Sequence, residues 1–232
     1  MTKHVVLSGA SSGIGRALAI LLSQQGYRLS LCGRDPQKLA ATQQQLAAGC
    51  PLFAAHFDAT DRQAVAAFCL QAEQRHGPAD ILINCAGANN SRSAAAAPQW
   101  LQLEQMMQLN FYAPLCFIEQ LLPAMLHRKQ GCILNVLSTV CLFSNPGIAA
   151  YTATKAALDA YSKVLRKELH GSGVKVLSVY PGGVDTDFRT AARPEYLRPA
   201  EVADAISSML SAGAGAHMHE LVIRPAAEVN FN

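Results

Sequence analysis

The sequence predicts a doubly wound α/β fold, with a seven-stranded, mostly parallel sheet covered by helices on both faces. Seven short apolar runs alternate with longer helical patterns along the 232 residues. Most of these runs are continuously apolar, which is typical of strands buried on both faces. The length suits one domain, which we expect to span residues 1–232 with a short substrate loop near 186–199.

The individual elements are predicted from the apolar patterns and from the glycines and prolines between them. The predicted strands are Val5–Ser8, Arg28–Gly33, Leu52–Phe57, Ile81–Asn84, Cys132–Leu137, Val174–Tyr180 and Glu220–Ile223. The predicted helices are approximately Ile14–Gln25, Gln37–Ala48, Arg62–His76, Trp100–Lys129, Ala149–His170 and Ala200–Ser211. The glycines expected to end helices are Gly26, Gly49, Gly77, Gly131 and Gly171. Because strands alternate with helices, neighbouring strands are expected to run parallel.

Composition and charge exclude several classes of function. Half of the residues are hydrophobic and 15% are charged, which allows a large buried sheet. The net charge of +3 is too small to indicate nucleic acid or an anionic membrane as partner. The sequence predicts no signal peptide and no bilayer-crossing segment. Seven scattered cysteines without a Cys-x-x-Cys pair indicate reduced thiols in the cytoplasm, and the seven histidines have no metal-ligand spacing, so no metal is expected.

A glycine-rich turn follows the first predicted strand. Gly9, Gly13 and Gly15 have the spacing Gly-x-x-x-Gly-x-Gly between that strand and the next helix. Glycine permits a tight turn and lets backbone N–H groups approach a pyrophosphate, while the helix N-terminus favours an anion. The alternative is an ordinary strand-to-helix turn. The position of these glycines after the first strand of an alternating chain favours dinucleotide binding and a Rossmann-like fold.

The end of the second strand bears on the choice of dinucleotide. Many dinucleotide-binding folds have an acidic residue here that hydrogen-bonds the ribose 2′-hydroxyl of NAD. This chain has Gly33 and then Arg34, so no carboxylate repels a 2′-phosphate and a guanidinium can pair with one. Asp35 precedes Pro36 and is expected to cap the next helix. The sequence therefore favours NADP(H) over NAD(H); the alternative is that Arg34 is only a solvated surface charge.

Three side chains suit proton transfer to or from a carbonyl oxygen. Tyr151 and Lys155 are four residues apart, so they lie on one face of a helix. A nearby ammonium favours the phenolate and lowers the tyrosine pKa from its usual value of about 10, which suits general acid–base catalysis near neutral pH. Ser138 ends a predicted strand and could hydrogen-bond the same substrate oxygen. Most Tyr-x-x-x-Lys pairs are surface residues, so this prediction depends on the other motifs.

Further motifs follow in a fixed order along the chain. They are Asp58 after the third strand, Asn84-Cys85-Ala86-Gly87 after the fourth, Asn110 in the long fourth helix, and Pro181-Gly182-Gly183-Val184-Asp185-Thr186 after the sixth strand. Together with the glycine turn, Ser138, Tyr151 and Lys155, these motifs resemble those of the classical short-chain dehydrogenase/reductase family over nearly the whole chain. Ser8 stands where threonine is usual in that family, and Cys85 replaces a second asparagine.

The resemblance implies roles for these positions. Tyr151 would donate the proton, Ser138 would hydrogen-bond the carbonyl oxygen, and Lys155 would hold the nicotinamide ribose and lower the tyrosine pKa. Asn110 would position a water that links Lys155 to solvent. The implied cofactor-binding residues are Gly9, Ser11, Ser12, Gly13, Ile14, Gly15, Arg34, Asp58, Ala59, Asn84, Ala86, Gly87, Tyr151, Lys155, Pro181, Gly182, Val184 and Thr186.

The leading interpretation is an NADP(H)-dependent oxidoreductase that transfers hydride between nicotinamide and a carbonyl or secondary alcohol, with Tyr151 as general acid/base. A non-catalytic NADP(H)-binding regulator of the same fold is the first alternative, but a regulator needs none of the proton-transfer groups. A nucleotide-sugar epimerase or dehydratase is the second, and 232 residues leave no room for its larger C-terminal domain. The motifs define the reaction and leave open which small carbonyl or alcohol is the substrate.

Two regions outside the motifs give further expectations. Val140–Phe143, Phe188 and Tyr196 form either an apolar substrate wall or ordinary packing under a loop. A stripe of small residues runs along the Tyr151 helix and either packs on the sheet or, as the family resemblance suggests, contributes with the Trp100–Lys129 helix to a homodimer or homotetramer interface. The stripe consists of Ala149, Ala153, Ala157, Ala160 and Val164.

Overall fold

The computed structural model describes residues 2–186, 188, 193–213 and 215–229. Within these ranges the strands form one parallel sheet in the order β3-β2-β1-β4-β5-β6-β7, which confirms the predicted fold class. The strands are β1 His4–Ser8, β2 Arg28–Gly33, β3 Leu52–His56, β4 Ile81–Asn84, β5 Gly131–Val136, β6 Val174–Pro181 and β7 Glu220–Ile223. The helices are α1 Gly13–Gln24, α2 Pro36–Gln43, α3 Arg62–His76, α4 Trp100–Met107, α5 Ala113–Arg128, α6 Ala149–Glu168 and α7 Pro199–Leu210.

The sheet is buried on both faces, as the continuously apolar strands predict. Successive residues of β1 point to opposite faces, so Val5 and Val6 belong to two different apolar clusters. The cluster that contains Val5 includes Leu18 of α1 and Ile206 of α7. The cluster that contains Val6 includes residues of α3 and α5, among them Phe117. Helices therefore cover both faces, and burial of these side chains is the main stabilising contribution to the fold.

The main differences from the sequence-based expectation lie at three helix boundaries. The helix predicted over Trp100–Lys129 is divided into α4 and α5 by a π-helical turn, Gln108–Tyr112. The helix predicted to reach Ala48 ends as α2 at Gln43. Gly131 opens β5, and the residue that ends α5 in the left-handed conformation is Lys129, with φ of 53°. At the start of α2, Asp35 accepts a hydrogen bond from the N–H of Lys38 at 2.9 Å, which confirms the predicted cap.

The strand order reverses between β1 and β4. β2 and β3 lie on one side of β1, whereas β4 to β7 lie on the other. Parallel strands end at the same edge of a sheet, and the chains leaving β1 and β4 turn away from each other there. This reversal opens a crevice at the carboxyl ends of the strands. The glycine turn after β1 and the loops after β4, β5 and β6 meet around this crevice.

One helical segment is long and apolar enough to cross a membrane by length and composition alone, whereas the sequence predicted none. It is Trp100–Arg128, which consists of α4, the π turn and α5, and 44% of its most apolar 18-residue window is buried in the fold. Phe117 and Leu121 of this segment pack in the same apolar cluster as Phe68 of α3. Packing in the core therefore accounts for part of the apolar character of the segment.

Candidate active site

A cleft of about 860 Å³ lies at the carboxyl ends of the strands. Its walls come from the glycine turn, from the loops after β2, β3, β4, β5 and β6, from the start of α6 and from the segment after β7. Ser138, Tyr151 and Lys155 line this cleft together with every predicted cofactor-binding residue except Asn84. Residues from six separate loops are thus brought to one site.

The glycine turn after β1 is shaped by backbone contacts that leave no room for a Cβ. Gly9 has a φ of 74°, and a Cβ there would lie 2.7 Å from the backbone nitrogen of Ala86. A Cβ on Gly15 would collide with the carbonyl oxygen of Gly9. Ser8 Oγ accepts hydrogen bonds from the N–H groups of Cys85 and Ala86, each at 3.2 Å. The loops after β1 and β4 are therefore packed closely, and the N-terminus of α1 favours an anion at the cleft.

The loops after β1, β2 and β3 form a polar end of the cleft. Ser11 Oγ is buried without a hydrogen-bond partner among the described residues, and a Cβ on Gly33 would collide with it. Arg34 is exposed and lines the cleft. Asp58 Oδ1 accepts hydrogen bonds from the N–H and O–H of Thr60 at 2.9 and 2.8 Å. These bonds, with a smaller contribution from the charge of Arg34, lower the pKa of Asp58.

Ser138, Tyr151 and Lys155 lie where β5 and α6 meet the cleft. Ser138 begins a short 3₁₀ turn after β5, and its Oγ accepts a hydrogen bond from the N–H of Val140 at 3.3 Å. Tyr151 and Lys155 occupy the first two turns of α6 and are 8% and 4% exposed. Lys155 Nζ donates to the carbonyl oxygen of Val136 at 2.9 Å, and burial lowers the pKa of this lysine. The site therefore combines two hydroxyl groups with an amine fixed against the end of β5.

Asn110 lies behind the cleft and holds one of its loops in place. The side chain is fully buried in the π turn. Its Oδ1 accepts from the N–H of Ala88 at 2.8 Å, and its Nδ2 donates to the carbonyl oxygen of Ala88 and to Thr154 Oγ1, both at 2.9 Å. A Cβ on Gly87 would lie 3.2 Å from Asn110 Oδ1 and 3.4 Å from Lys155 Nζ. Asn110 therefore connects the loop after β4 to α6, beside Lys155.

Asn84 is the implied cofactor-binding residue whose side chain does not line the cleft. Its Nδ2 donates to Asn135 Oδ1 at 2.8 Å, and Asn135 Nδ2 donates to Ser162 Oγ at 2.8 Å. This buried chain of hydrogen bonds connects β4, β5 and α6 beneath the site. Cys85 lines the cleft at the next position. Burial raises the pKa of the Cys85 thiol to about 12, so the thiol is neutral at physiological pH.

Aromatic and apolar residues surround the far end of the cleft, near Tyr151. Val140, Phe188 and Tyr196 line it, and the ring of Phe188 meets the ring of Tyr151 edge-on at 6.0 Å between centroids. Leu142 is exposed at 41% and lies outside the lining. The expected apolar wall is therefore formed by a subset of the residues that the sequence suggested. Residues 187 and 189–192 of the expected substrate loop lie outside the described residues.

Sequence reasoning missed several polar residues that line the cleft. They are Asn89, Asn90, Arg92, Asn145 and Glu228. Glu228 is the most distant in sequence, and its Oε1 accepts a hydrogen bond from the N–H of Gly183 at 2.8 Å. The parallel pairing of β7 with β6 could have indicated this contact, because the chain after β7 emerges at the edge where the cleft lies.

Comparison with known proteins places these observations in a family. The sequence model of the short chain dehydrogenase family matches residues 3–197. An uncharacterised oxidoreductase of Staphylococcus aureus (strain MW2) is 33% identical over 226 residues, which cover 96% of this chain and 97% of the relative.

Two solved structures share the fold over nearly their whole length. An alcohol dehydrogenase from the archaeon Thermococcus sibiricus, complexed with 5-hydroxy-NADP, has a TM-score of 0.90 at 26% identity and covers 99% of both chains. A metagenomic short-chain oxidoreductase in complex with NADP has a TM-score of 0.85 at 29% identity and covers 97% of both chains. The family match over most of the chain, the curated relative and the common fold show that this protein is an oxidoreductase of the short-chain dehydrogenase family.

Proposed function

We propose that this protein is an NADP(H)-dependent oxidoreductase that acts on a small carbonyl compound or secondary alcohol. The observation that carries this proposal is a single cleft that joins a glycine turn at a helix N-terminus to Ser138, Tyr151 and Lys155. NADP(H), when bound, supplies hydride to the carbonyl carbon or accepts it from the alcohol. The relatives solved with NADP-type ligands support a nicotinamide dinucleotide as cofactor.

Tyr151 is proposed to move the proton that accompanies hydride transfer. In reduction its O–H donates to the substrate oxygen, and in oxidation the phenolate accepts the proton from the alcohol. Ser138 Oγ hydrogen-bonds the same oxygen and orients it. A positive charge on Lys155 would favour the phenolate, and each pKa unit of that effect corresponds to about 1.4 kcal/mol. Asn110 fixes the Gly87–Ala88 turn beside Lys155, where a water could pass the proton to solvent.

The fit to NADP(H), in preference to NAD(H), depends on the polar end of the cleft. The buried Ser11 Oγ, unpartnered among the residues described, and the Arg34 guanidinium both suit a 2′-phosphate. Gly33 provides no acidic side chain for a ribose 2′-hydroxyl, and a Cβ there would require the Ser11 hydroxyl to move. The residues proposed to hold the remainder of the cofactor are the glycine turn and the Pro181–Thr186 loop.

We further propose that the protein acts as a homodimer or homotetramer in the cytoplasm, with a small molecule as substrate and without nucleic acid or membrane as partner. All seven cysteines are free thiols, as expected in a reducing compartment. The outer face of α6 supports the oligomer, because Tyr161 and Val164 are 39% and 56% exposed.

The Tyr151→Phe variant tests the proposed chemistry. Removal of the hydroxyl is expected to lower kcat by at least about 100-fold, the usual contribution of a general acid, while the Kd for NADPH stays within about twofold. The assay is a panel of ketones, aldehydes and alcohols followed at the nicotinamide absorbance, with NADPH binding measured by titration calorimetry. Tyr27→Phe, which changes a tyrosine outside the cleft lining, is the matched control.

The same panel separates catalysis from the alternative regulatory function. Wild-type turnover that is lost in Tyr151→Phe supports the proposal. Wild-type turnover that persists at a similar rate in Tyr151→Phe refutes the role of the tyrosine. Tight NADPH binding without turnover of any substrate in the panel would favour a non-catalytic binding protein of the same fold.

A further inference from the structure

The segment after β7 runs onto the loop that follows β6. β7 pairs with β6 in parallel, with Ile223 opposite Pro181, so the chain leaves β7 at the edge of the cleft. The N–H of Gly182 donates to the carbonyl oxygen of Ile223 at 2.8 Å. The N–H of Glu228 then donates to the carbonyl oxygen of Pro225 at 3.1 Å. This turn brings Glu228 back to the start of the Pro181–Thr186 loop.

Glu228 is fitted closely to the two glycines of that loop. Its Oε1 accepts the N–H of Gly183 at 2.8 Å, and its side chain is 18% exposed. A Cβ on Gly182 would collide with Glu228 Oε2, and a Cβ on Gly183 would collide with the ring of Tyr196. The paired glycines are thus required by contacts from two segments that lie later in the chain. A hydrogen bond from an N–H to a carboxylate is among the stronger hydrogen bonds in proteins.

Arg224 connects Glu228 to the loop that contains Ser138. Its Nη2 lies 3.4 Å from Glu228 Oε2, and its guanidinium carbon lies 4.8 Å from the centroid of the Phe143 ring. The Arg224 side chain is 12% exposed, so both interactions are largely shielded from water. Phe143 follows Ser138 in the chain, and its N–H donates to the carbonyl oxygen of Thr139 at 2.8 Å.

We propose that the Arg224–Glu228 pair holds the Gly182–Gly183 corner at a fixed position relative to the Ser138 loop, which makes Glu228 a positioning residue for hydride transfer. The inference rests on the proposed function, in which the Pro181–Thr186 loop receives the nicotinamide end of the cofactor. Ser138 orients the substrate oxygen, so the distance between these two loops sets the distance between hydride and carbonyl carbon. A displacement of about 1 Å at such a site can reduce the rate by about 100-fold.

The experiment compares Glu228→Ala with Glu228→Gln, because glutamine keeps an acceptor for the Gly183 N–H and removes the charge. The ligands are NADPH and 2′-phospho-ADP-ribose, which lacks the nicotinamide. We expect Glu228→Ala to raise the Kd for NADPH by about tenfold and to leave the Kd for 2′-phospho-ADP-ribose within about twofold. We expect kcat to fall by at least about tenfold. We expect Glu228→Gln to recover only part of both losses, because it restores the acceptor for the Gly183 N–H and not the charge that pairs with Arg224. Glu119→Gln, which removes an exposed carboxylate on α5, is the control.

The possible results separate this inference from the proposed function. Equal weakening of both ligands by Glu228→Ala, or no change in NADPH affinity and kcat, would overturn the positioning role while wild-type turnover still supports the oxidoreductase. Absence of NADPH binding by the wild-type protein would refute the proposed function and the inference with it.

If Glu228→Ala does not fold, Arg224→Met serves instead, because it keeps apolar bulk on Phe143 and removes the charge that holds Glu228. The same selective loss of NADPH affinity is expected, and its absence overturns the inference.

Discussion

At the scale of single residues, Gly33 and Arg34 determine how the cleft would meet the adenosine end of a cofactor. Gly33 leaves space that Ser11 Oγ occupies, and a larger residue would require that hydroxyl to move. Arg34 adds a positive charge and a planar group that matches phosphate geometry. An acidic residue at position 33 would both displace Ser11 and repel a 2′-phosphate. The space at Gly33 and the charge of Arg34 therefore both support the proposed preference for NADP(H) over NAD(H).

Arg34→Ala is expected to raise the KM for NADPH by about 10- to 100-fold, because it removes a charge-assisted pair with the 2′-phosphate. The KM for NADH should change by less than about threefold, since NADH has no phosphate at that position. Steady-state kinetics with each cofactor measure the difference. Arg62→Ala removes an exposed arginine of α3 that pairs with Glu119 at 3.3 Å, and it serves as the control. Equal increases for both cofactors would contradict a 2′-phosphate contact.

Single residues also show where sequence reasoning about the site succeeds and where it stops. Ser138, Tyr151 and Lys155 could be placed together because one strand, one turn and one helix carry all three. The hydrogen bond of Asn84 beneath the site was not predictable, because its partner Asn135 belongs to another strand. Glu228 belongs to none of the sequence motifs, since its contact with Gly183 joins residues 45 positions apart and follows only from the pairing of β7 with β6.

At the scale of elements, the largest difference from the sequence-based expectation is the π turn between α4 and α5. Apolar residues continue at helical spacing through this region, so periodicity predicts one helix. The turn is held by the hydrogen bonds of Asn110 to Ala88 and Thr154, which come from two other segments. π turns of this kind often occur at functional sites. Pro114, at the start of α5, has no N–H to donate four residues back, so a proline and the tertiary contacts of Asn110 both favour the turn here.

The small-residue stripe on α6 also gains a clearer interpretation from the structure. Ala149, Ala153, Ala160 and Val164 are exposed, so the stripe does not pack mainly on the sheet of its own chain. The ring of Phe111 meets that of Tyr161 edge-on at 6.2 Å and connects this face to the π turn. A continuous apolar face across two helical segments favours a subunit interface.

Val164→Glu is expected to convert the proposed oligomer to a smaller species, because a carboxylate buried in an apolar interface loses its hydration. Size-exclusion chromatography with light scattering measures the mass of wild type and variant. Leu70→Glu on α3 is a matched control, since Leu70 is 60% exposed and Val164 is 56% exposed. A wild-type protein that is already monomeric, or an oligomer unaffected by Val164→Glu, would show that this face is not the interface.

At the scale of the whole molecule, the fold was predictable because its signal is repeated along the chain. Each strand–helix unit gives the same pattern, and errors at single boundaries leave the alternation intact. The side-chain contacts at the opposite edge of the sheet, away from the cleft, were not predictable in this way. There, His4 is fully buried, its Nδ1 lies 2.8 Å from the carbonyl oxygen of Gly77 and its Nε2 lies 2.8 Å from Ser30 Oγ. The ring also meets that of His76 edge-on at 5.3 Å.

This buried histidine is expected to make the stability of the whole protein depend on pH. Burial lowers the pKa of His4 from 6.5 to about 4, and the charges of His76 and Arg28 act in the same direction. Above pH 6.5 neither the folded nor the unfolded state protonates His4, so its full contribution to stability is present. As the pH falls from 6.5 to about 4, His4 binds a proton in the unfolded state but stays neutral in the folded state. The free energy of unfolding therefore decreases between pH 6.5 and about pH 4.

Urea unfolding at pH 7.5 and pH 4.5 measures this effect as a change in the free energy of unfolding. The pKa difference corresponds to a loss of about 2 to 3 kcal/mol from His4 over that interval. His4→Gln should have lower stability at pH 7.5 but a smaller loss on acidification, because glutamine does not titrate. His127→Gln, at an exposed position on α5, should keep the wild-type pH dependence. If His4→Gln and wild type lose the same free energy between the two pH values, proton uptake at His4 does not control acid stability.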